Sequence, residues 1–318
     1  MGKRHAPHRG TLQFWPRVRA QREAARIRQW VTLKETKPLG FLGYKAGMCH
    51  VIAIDNRAKS LSKDEEISIP ATIIECPPLK VAGLQFYRSD GFGLQVITTV
   101  LSSNIDKELG RVFSLPKKIT QKIEDVKAFD DVRLLVYTQP RLTGMGTKRP
   151  AFMELALGGS KEEKMKYATE RLGKEILVEE VIKEGHLVDI HAITKGKGFQ
   201  GPVKRHGVML RHHKSEKARR ANVRGPWTGP KMWTVPHSGK MGYNQRVEYN
   251  KWILKVGKNP SEVSRSGGIP QFGVVKNSFI LIKGSVAGVQ KRVVTLTPAI
   301  RPQRGVPKDA PSIRAIVL

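Results

Sequence analysis

Cysteine is scarce: the chain carries only Cys49 and Cys76 in 318 residues. Both lie in or beside strand-like apolar runs, and no C-x-x-C spacing joins them. A disulfide framework and a cysteine-based zinc site are excluded, and two buried thiols in a reducing compartment are expected. His5, His8 and the His212–His213 pair have no cysteine partners at metal-ligand spacing. No metal, cofactor or small-molecule substrate is expected. Long apolar runs are missing too. None approaches the ~20 residues that span a bilayer, and the stretch Met1–Gly10 is polar from its start, without the apolar centre of a signal peptide. The expected location is cytoplasmic, with no membrane partner.

Acidic residues are the next shortage. Against 57 Lys and Arg stand 27 Asp and Glu, a formal net charge of +30 and a sequence pI near 10.4. A compact globule with that charge repels itself, and a polyanionic partner is the simplest counterweight. The excess is uneven. Residues 1–40 carry net +8, 41–90 zero, 91–190 +1, 191–255 +13 and 256–318 +8. A generally basic solvated surface would spread evenly; here the middle reads as ordinary protein and both flanks as polyanion ligands.

What the sequence does contain is a set of short β-branched runs. Pro38 to Asn56 reads as two short strands joined through a glycine bend, followed by runs at Pro70–Cys76 and Leu94–Leu101. Strand signals return at Leu187–Thr194, Arg246–Val256, Ser278–Lys283 and Lys291–Pro298. Regularly spaced strands with glycine turns predict a mainly β fold built on a small barrel. Between the two groups the character changes. Ser160 with Glu163 forms a capping-box pattern that opens a helix, Gly173 can close it, and a second helical stretch is expected to run to Gly185. The resulting division is a basic N-terminal extension (1–37), unordered on its own; the first part of the barrel (38–94); an α/β insertion (95–183); one barrel strand (184–194); a basic central loop (195–245); the rest of the barrel (246–300); and a C-terminal tail (301–318).

The central loop is about fifty residues long and almost without apolar periodicity. A structureless loop of that length inside a compact domain points to disorder or function. Its basic, aromatic, glycine-punctuated composition favours function. Gly196-Lys197-Gly198-Phe199-Gln200-Gly201 matches G-x-G-x-x-G, but Pro202 follows, Gly207 breaks any helix, and Arg219, Arg220 and Ala221 stand where a ribose-binding acid belongs. The glycines fit close approach of backbone to a phosphate chain better than a dinucleotide site. No Gly-Lys pair at 173, 196, 239 or 257 precedes Ser or Thr, so no phosphate-binding loop of the nucleotide-hydrolase kind is present. A G-x-S-x-G elbow is absent. Only Glu216 and Glu248 are acidic within 191–255, too few to supply an acid/base pair. Gly225-Pro226-Trp227-Thr228-Gly229-Pro230 reads as a tight tip presenting one tryptophan, which either stacks on a base or packs back on the barrel.

Thr194–Gly201, Gly225-Pro226-Trp227, Gly239–Arg246 (Gly-Lys-Met-Gly-Tyr-Asn-Gln-Arg) and Lys283–Arg292 (Lys-Gly-Ser-Val-Ala-Gly-Val-Gln-Lys-Arg) resemble, in order, the universal large-subunit ribosomal protein L3 family; Gly40–Met48 fits it as well. The matches span residues 1 to about 305. The long insertion, basic N-terminal arm and Trp227 resemble the archaeal and eukaryotic branch, here of archaeal type, rather than the shorter bacterial one. The resemblance implies a translation-protein-type β-barrel with an α/β insertion and long irregular basic extensions. It also implies large-subunit rRNA and neighbouring ribosomal proteins as partners, a role early in subunit assembly, and a finger whose tip (Gly225, Pro226, Trp227) approaches the peptidyl transferase centre. Some eukaryotic members carry a modified histidine twelve residues before the tip tryptophan; Ser215 stands there in this chain, so the modification is not carried over.

The residues expected to bind rRNA fall in three groups. The N-terminal arm supplies Arg4, Arg9, Trp15, Arg17, Arg19, Arg22, Arg26 and Arg28. The finger supplies Lys195, Lys197, Lys204, Arg205, His206, Arg211, His212, His213, Lys214, Lys217, Arg219, Arg220, Arg224, Trp227, Lys231 and Lys240. The barrel supplies Lys45, Arg246, Lys283, Lys291 and Arg292. Cations with interleaved aromatics neutralise phosphates and stack on bases. An RNA-modifying enzyme would need a cofactor loop or catalytic constellation near Trp227, and neither is found. A chromatin-type DNA binder would favour helical basic repeats or a dimeric helix-turn-helix, whereas these segments are irregular. The chain is expected not to be an enzyme.

Overall fold

The structure is a computed structural model, which describes residues 13, 15–116, 118, 121–126, 128–208, 210, 214 and 235–318. In chain order its elements are β1 (Phe41–Ile54), β2 (Glu66–Glu75), β3 (Leu79–Asp90), β4 (Gly93–Leu101), β5 (Asp131–Thr138), β6 (Phe152–Ala156), α1 (Lys161–Arg171), β7 (Glu175–Ile176) and α2 (Val178–Val181). Then come β8 (Leu187–Ile193), β9 (Phe199–Gln200), α3 (Pro202–His206), β10 (Gly239–Lys240), β11 (Gln245–Gly257), β12 (Phe279–Lys283), β13 (Val293–Pro298) and β14 (Ile313–Val317). They form two compact units: Arg22–Ala192 with Arg246–Leu318, and Met1–Gln21 with Ile193–Gln245.

In the larger unit, six strands run β13-β8-β11-β12-β2-β1 and β13 returns to pair with β1, closing a ring. Closure removes the free edges an open sheet would leave. The mainly β, barrel-like expectation is met. One edge of β1 is shared: Phe41–Tyr44 pair with β13, and His50–Ala53 pair with β14. The expected pair of short strands over 38–56 is instead one strand of 14 residues. Its glycines do not bend the chain; they make room. A Cβ on Gly43 would sit 2.5 Å from Ile74 Cγ2, and one on Gly47 2.8 Å from Ile269 Cγ2. The only break in the β1–β2 register is a shift between Lys45 and Gly47, a bulge rather than a corner.

A second sheet, ordered β4-β3-β5-β6 with β7 on β3, fills the middle of the chain. It takes in Leu79–Asp90, which sequence reading left without a strand, and the expected boundary at 94/95 falls inside β4. The capping box is present: Ser160 Oγ accepts from Glu163 N (3.4 Å) and Glu163 Oε2 accepts from Ser160 N (3.0 Å). Gly173 follows α1 with φ +75°. The second helix is the single turn α2, not a stretch reaching Gly185: β7 claims Glu175–Ile176 before it, and the chain turns extended at Ile182 (φ −122°, ψ 131°) after it.

Both sheets share one apolar core that includes Phe41, Ile73, Phe86, Leu134 and Phe279, each worth roughly 1.5–3 kcal/mol on burial. Tyr44 Oη and Thr138 Oγ1 bridge β1 and β5 at 2.7 Å inside it. Glu75 is fully buried in β2; its Oε1 accepts from Lys276 N, Asn277 N and Asn277 Nδ2 at 2.8–3.1 Å. Cys49 and Cys76 are free and buried, as expected, and burial pushes the Cys49 thiol up to about 11. Arg22–Lys37, expected within an extension unordered on its own, is packed instead. Ala25 is buried, Ile27 and Trp30 lie on the core, and Gly159 N donates to Leu33 O (2.9 Å).

Candidate nucleic-acid interface

The smaller unit holds the base of the long loop. Its two limbs pair: Thr194 N donates to Asn244 O (3.0 Å), Lys197 N to Met241 O (2.9 Å) and Met241 N to Gly198 O (2.9 Å). β9 and β10 continue the ribbon, with Lys240 opposite Phe199. Two glycines are conformational necessities here. Gly198 has φ +67° with open space around it, and Gly242 has φ +77° and would drive a Cβ into the Lys195 carbonyl oxygen. A helix does follow Gly201, against the sequence reading, but it is one turn: Pro202 pre-sets its start and Gly207, at φ +68°, ends it.

The expected ligands in this unit divide into two sets. One set points inward. Arg205 donates from Nε to Lys240 O (3.1 Å) and from Nη1 to His237 O (3.0 Å), so its guanidinium ties α3 to the returning limb. Arg17 Nη1 donates to Arg205 O (3.1 Å), and its guanidinium carbon lies 5.9 Å from the centre of the Trp15 ring. Trp15 stacks on His206, with centroids 6.0 Å apart and planes 23° apart. His206 is 5% exposed, and its imidazole is held down to about 4, first by burial and then by the charges of Arg17 and Arg205. Ala20 N closes the arm onto Tyr243 O (2.8 Å). The other set is exposed: Arg19, Lys195, Lys197, Lys204, Lys214 and Lys240. Phe199, missed as a candidate though it sits within the glycine motif, is 72% exposed beside them.

In the larger unit Arg22, Arg26, Arg28 and Lys291 are exposed, while Lys45, Arg246, Lys283 and Arg292 are half-buried. Lys45 Nζ is turned onto the carbonyls of Val286 and Gly288, and burial lowers its pKa. Burial lowers the Arg246 guanidinium as well. Arg4, Arg9, Arg211, His212, His213, Lys217, Arg219, Arg220, Arg224, Gly225, Pro226, Trp227 and Lys231 lie outside the described residues. Among the described residues no group of three His, Cys, Asp or Glu side chains is placed to hold a metal, and no helix is long and apolar enough to cross a membrane.

A family model described as Ribosomal protein L3 matches residues 1–315. Relatives named "Large ribosomal subunit protein uL3" align over most of their length and most of this chain. The one from Archaeoglobus fulgidus is 45% identical over 95% of this chain and 94% of its own. That from Methanosphaera stadtmanae is 44% identical over 95% and 94%, and that from Methanocaldococcus jannaschii 44% over 93% and 92%. Of the motifs that carry the resemblance, Thr194–Gly201 and Gly239–Arg246 lie on the ribbon, Gly40–Met48 on β1 and Lys283–Arg292 between β12 and β13, and the match runs through both units: this chain belongs to the ribosomal protein L3 family.

Proposed function

We propose that this chain is a structural, non-enzymatic constituent of the large ribosomal subunit that binds rRNA, supports early subunit assembly and extends its 195–245 finger toward the peptidyl transferase centre. The observation that carries this is the division of labour on the smaller unit. Trp15, Arg17, Arg205 and His206 hold the ribbon and arm together. Lys195, Lys197, Lys204 and Lys240 stand outward around exposed Phe199, with no carboxylate paired to them among the described residues. A rigid scaffold with unpaired cations and an open aromatic face suits RNA, whose phosphates release counterions to lysine and whose unstacked bases seek aromatic faces. Its partners would be large-subunit rRNA and neighbouring ribosomal proteins in cytoplasmic ribosomes. Peptide-bond chemistry would belong to the RNA, the finger affecting positioning alone.

The test is sedimentation of a lysate through sucrose gradients at moderate and high salt, probing for this chain. Co-migration with large subunits that survives the salt wash supports a threaded structural protein. A chain that stays at the top, or leaves as salt rises, is a peripheral factor, and the loop must then be read as a substrate channel.

A further inference from the structure

The larger unit carries a cavity, away from any residue assigned so far except Lys283, of about 370 Å³. Arg57, Lys251, Trp252 and Lys283 line it, and the tail residues Gln303 and Gly305–Pro307 form another wall. A second, more open hollow of about 510 Å³ adjoins it, sharing Arg57 and Gly305 and adding Lys59, Ser60 and Ser62. No carboxylate lines either one.

The cations are built into place. Asp55, 2% exposed, accepts from Arg57 Nε (2.8 Å) and Nη2 (2.7 Å), and Ser60 Oγ accepts from Nη2 (3.3 Å). That fork locks the guanidinium while leaving Nη1 without a partner among the described residues. Lys283 Nζ sits 5.6 Å from the centre of the Trp252 ring, whose Nε1 is fixed on Gly185 O (3.0 Å). No carboxylate pairs with Lys283 among the described residues; burial first, then Arg57, pushes its pKa down. Lys251 is tethered to Ser285 O (2.8 Å) and Glu248 (2.9 Å), so its charge is already paired. Asp55 holds Arg57 from behind and offsets part of its charge, but the hollow itself carries no acid, so Arg57 Nη1 and Lys283 face it with donors that an anion placed between them would engage.

We infer that the paired hollows form a backbone-phosphate site for an RNA strand, with one phosphate held by Arg57 Nη1 and Lys283 in the smaller hollow and the strand continuing past Lys59. Two linked hollows sharing a wall fit a polymer better than a single free anion, and a phosphate flanked by arginine and lysine is a positioning contact rather than a sequence-reading one. The inference rests on the rRNA-binding reading and locates one part of it on the barrel.

The experiment uses the full chain and large-subunit rRNA transcripts, with the dissociation constant measured across salt concentrations. Lys283→Gln is expected to lower the salt slope by about one and weaken binding several-fold at low salt, equally for all bound sequences. Amine-reactive labelling of the unaltered chain provides a second readout: Lys283 and Lys59 should be protected by RNA and not by millimolar inorganic phosphate. Wild-type slope in Lys283→Gln, or unprotected Lys283 on RNA that does bind, overturns the site. Equal protection by inorganic phosphate assigns the cavity to a free anion and also overturns it. Failure of the unaltered chain to bind rRNA at all overturns the broader reading instead.

Discussion

Trp15, from the start of the chain, lies nearly parallel to His206, from the one-turn helix α3, with 6.0 Å between ring centres. Residues 191 positions apart in sequence thus make one small body, and the cation above them, Arg17, completes it by donating to the Arg205 carbonyl. The arrangement converts four residues that read as RNA ligands into the frame that presents the others. It also places a titratable group where protonation is expensive, beside two guanidinium groups and away from water.

That cost makes the smaller unit acid-sensitive. The imidazole of His206 is at about 4 when folded against an ordinary value of 6.5. As pH falls between these values the unfolded chain takes up a proton the folded one refuses, so stability is complete above 6.5 and declines toward 4, by on the order of 2–3 kcal/mol. Thermal unfolding of the wild type against His206→Phe should diverge through that window and run parallel above it. An imidazole resonance titrating near 6.5 in the folded chain would remove the basis for this expectation.

Gly242→Ala should open the ribbon at its base. The substitution meets a left-handed backbone, φ +77°, and the Lys195 carbonyl oxygen together. Strain of about 1–3 kcal/mol is expected before the steric clash is added. Gly91→Ala is the matched control: nothing lies within 4 Å of its Cβ position, so stability should hold within about 0.5 kcal/mol. Limited proteolysis should show faster cleavage within 195–245 for the first variant and no change for the second.

Much of the barrel was legible because its strands are β-branched runs with turn residues between them, and α1 because Ser160 and Glu163 sit at the capping-box spacing. The failures have physical causes. Gly43 and Gly47 read as a bend, but glycine also serves where two elements press together, and only the positions of Ile74 and Ile269 distinguish the two uses. Leu79–Asp90 mixes lysine, glycine and glutamine into its apolar residues because it is a central strand whose partners, β4, β5 and β7, cannot be seen locally. Cations posed the hardest problem. Lys45, Arg17 and Arg205 have the composition of RNA ligands, and only the fold reveals that they also reach backbone carbonyls. Arg57 lay in a charge-neutral stretch and gave no signal, since what marks it is a buried carboxylate two residues away.

Trp227→Ala should separate assembly from positioning. On the tip reading, large subunits carrying the variant are expected to form and sediment normally. Binding of aminoacyl-tRNA or elongation factor should change, because a stacked aromatic contributes about 1–3 kcal/mol per base. Purified variant subunits that translate at the wild-type rate would count against a tip role; loss of subunits would move Trp227 into assembly.

Lys45 and Lys197 provide the sharpest discrimination between framework and ligand. Both are lysines within motifs shared with the family, and both read as phosphate contacts. Lys45 reaches the carbonyls of Val286 and Gly288 from a half-buried position, so Lys45→Met leaves two acceptors unsatisfied and should cost about 1–3 kcal/mol. Its salt slope for rRNA binding should match the wild type where the ammonium keeps these carbonyl contacts in the complex. Lys197 is exposed, and its backbone N–H donates to Met241 O while its carbonyl accepts from Gln200 Nε2. Lys197→Gln should leave the unfolding temperature where it was and lower the salt slope by about one. The two variants should therefore move opposite readouts. If Lys45→Met lowers the slope, the carbonyl contacts give way to phosphate in the complex and Lys45 belongs with the ligands; if Lys197→Gln leaves the slope untouched, the ribbon's outer face does not lie on RNA.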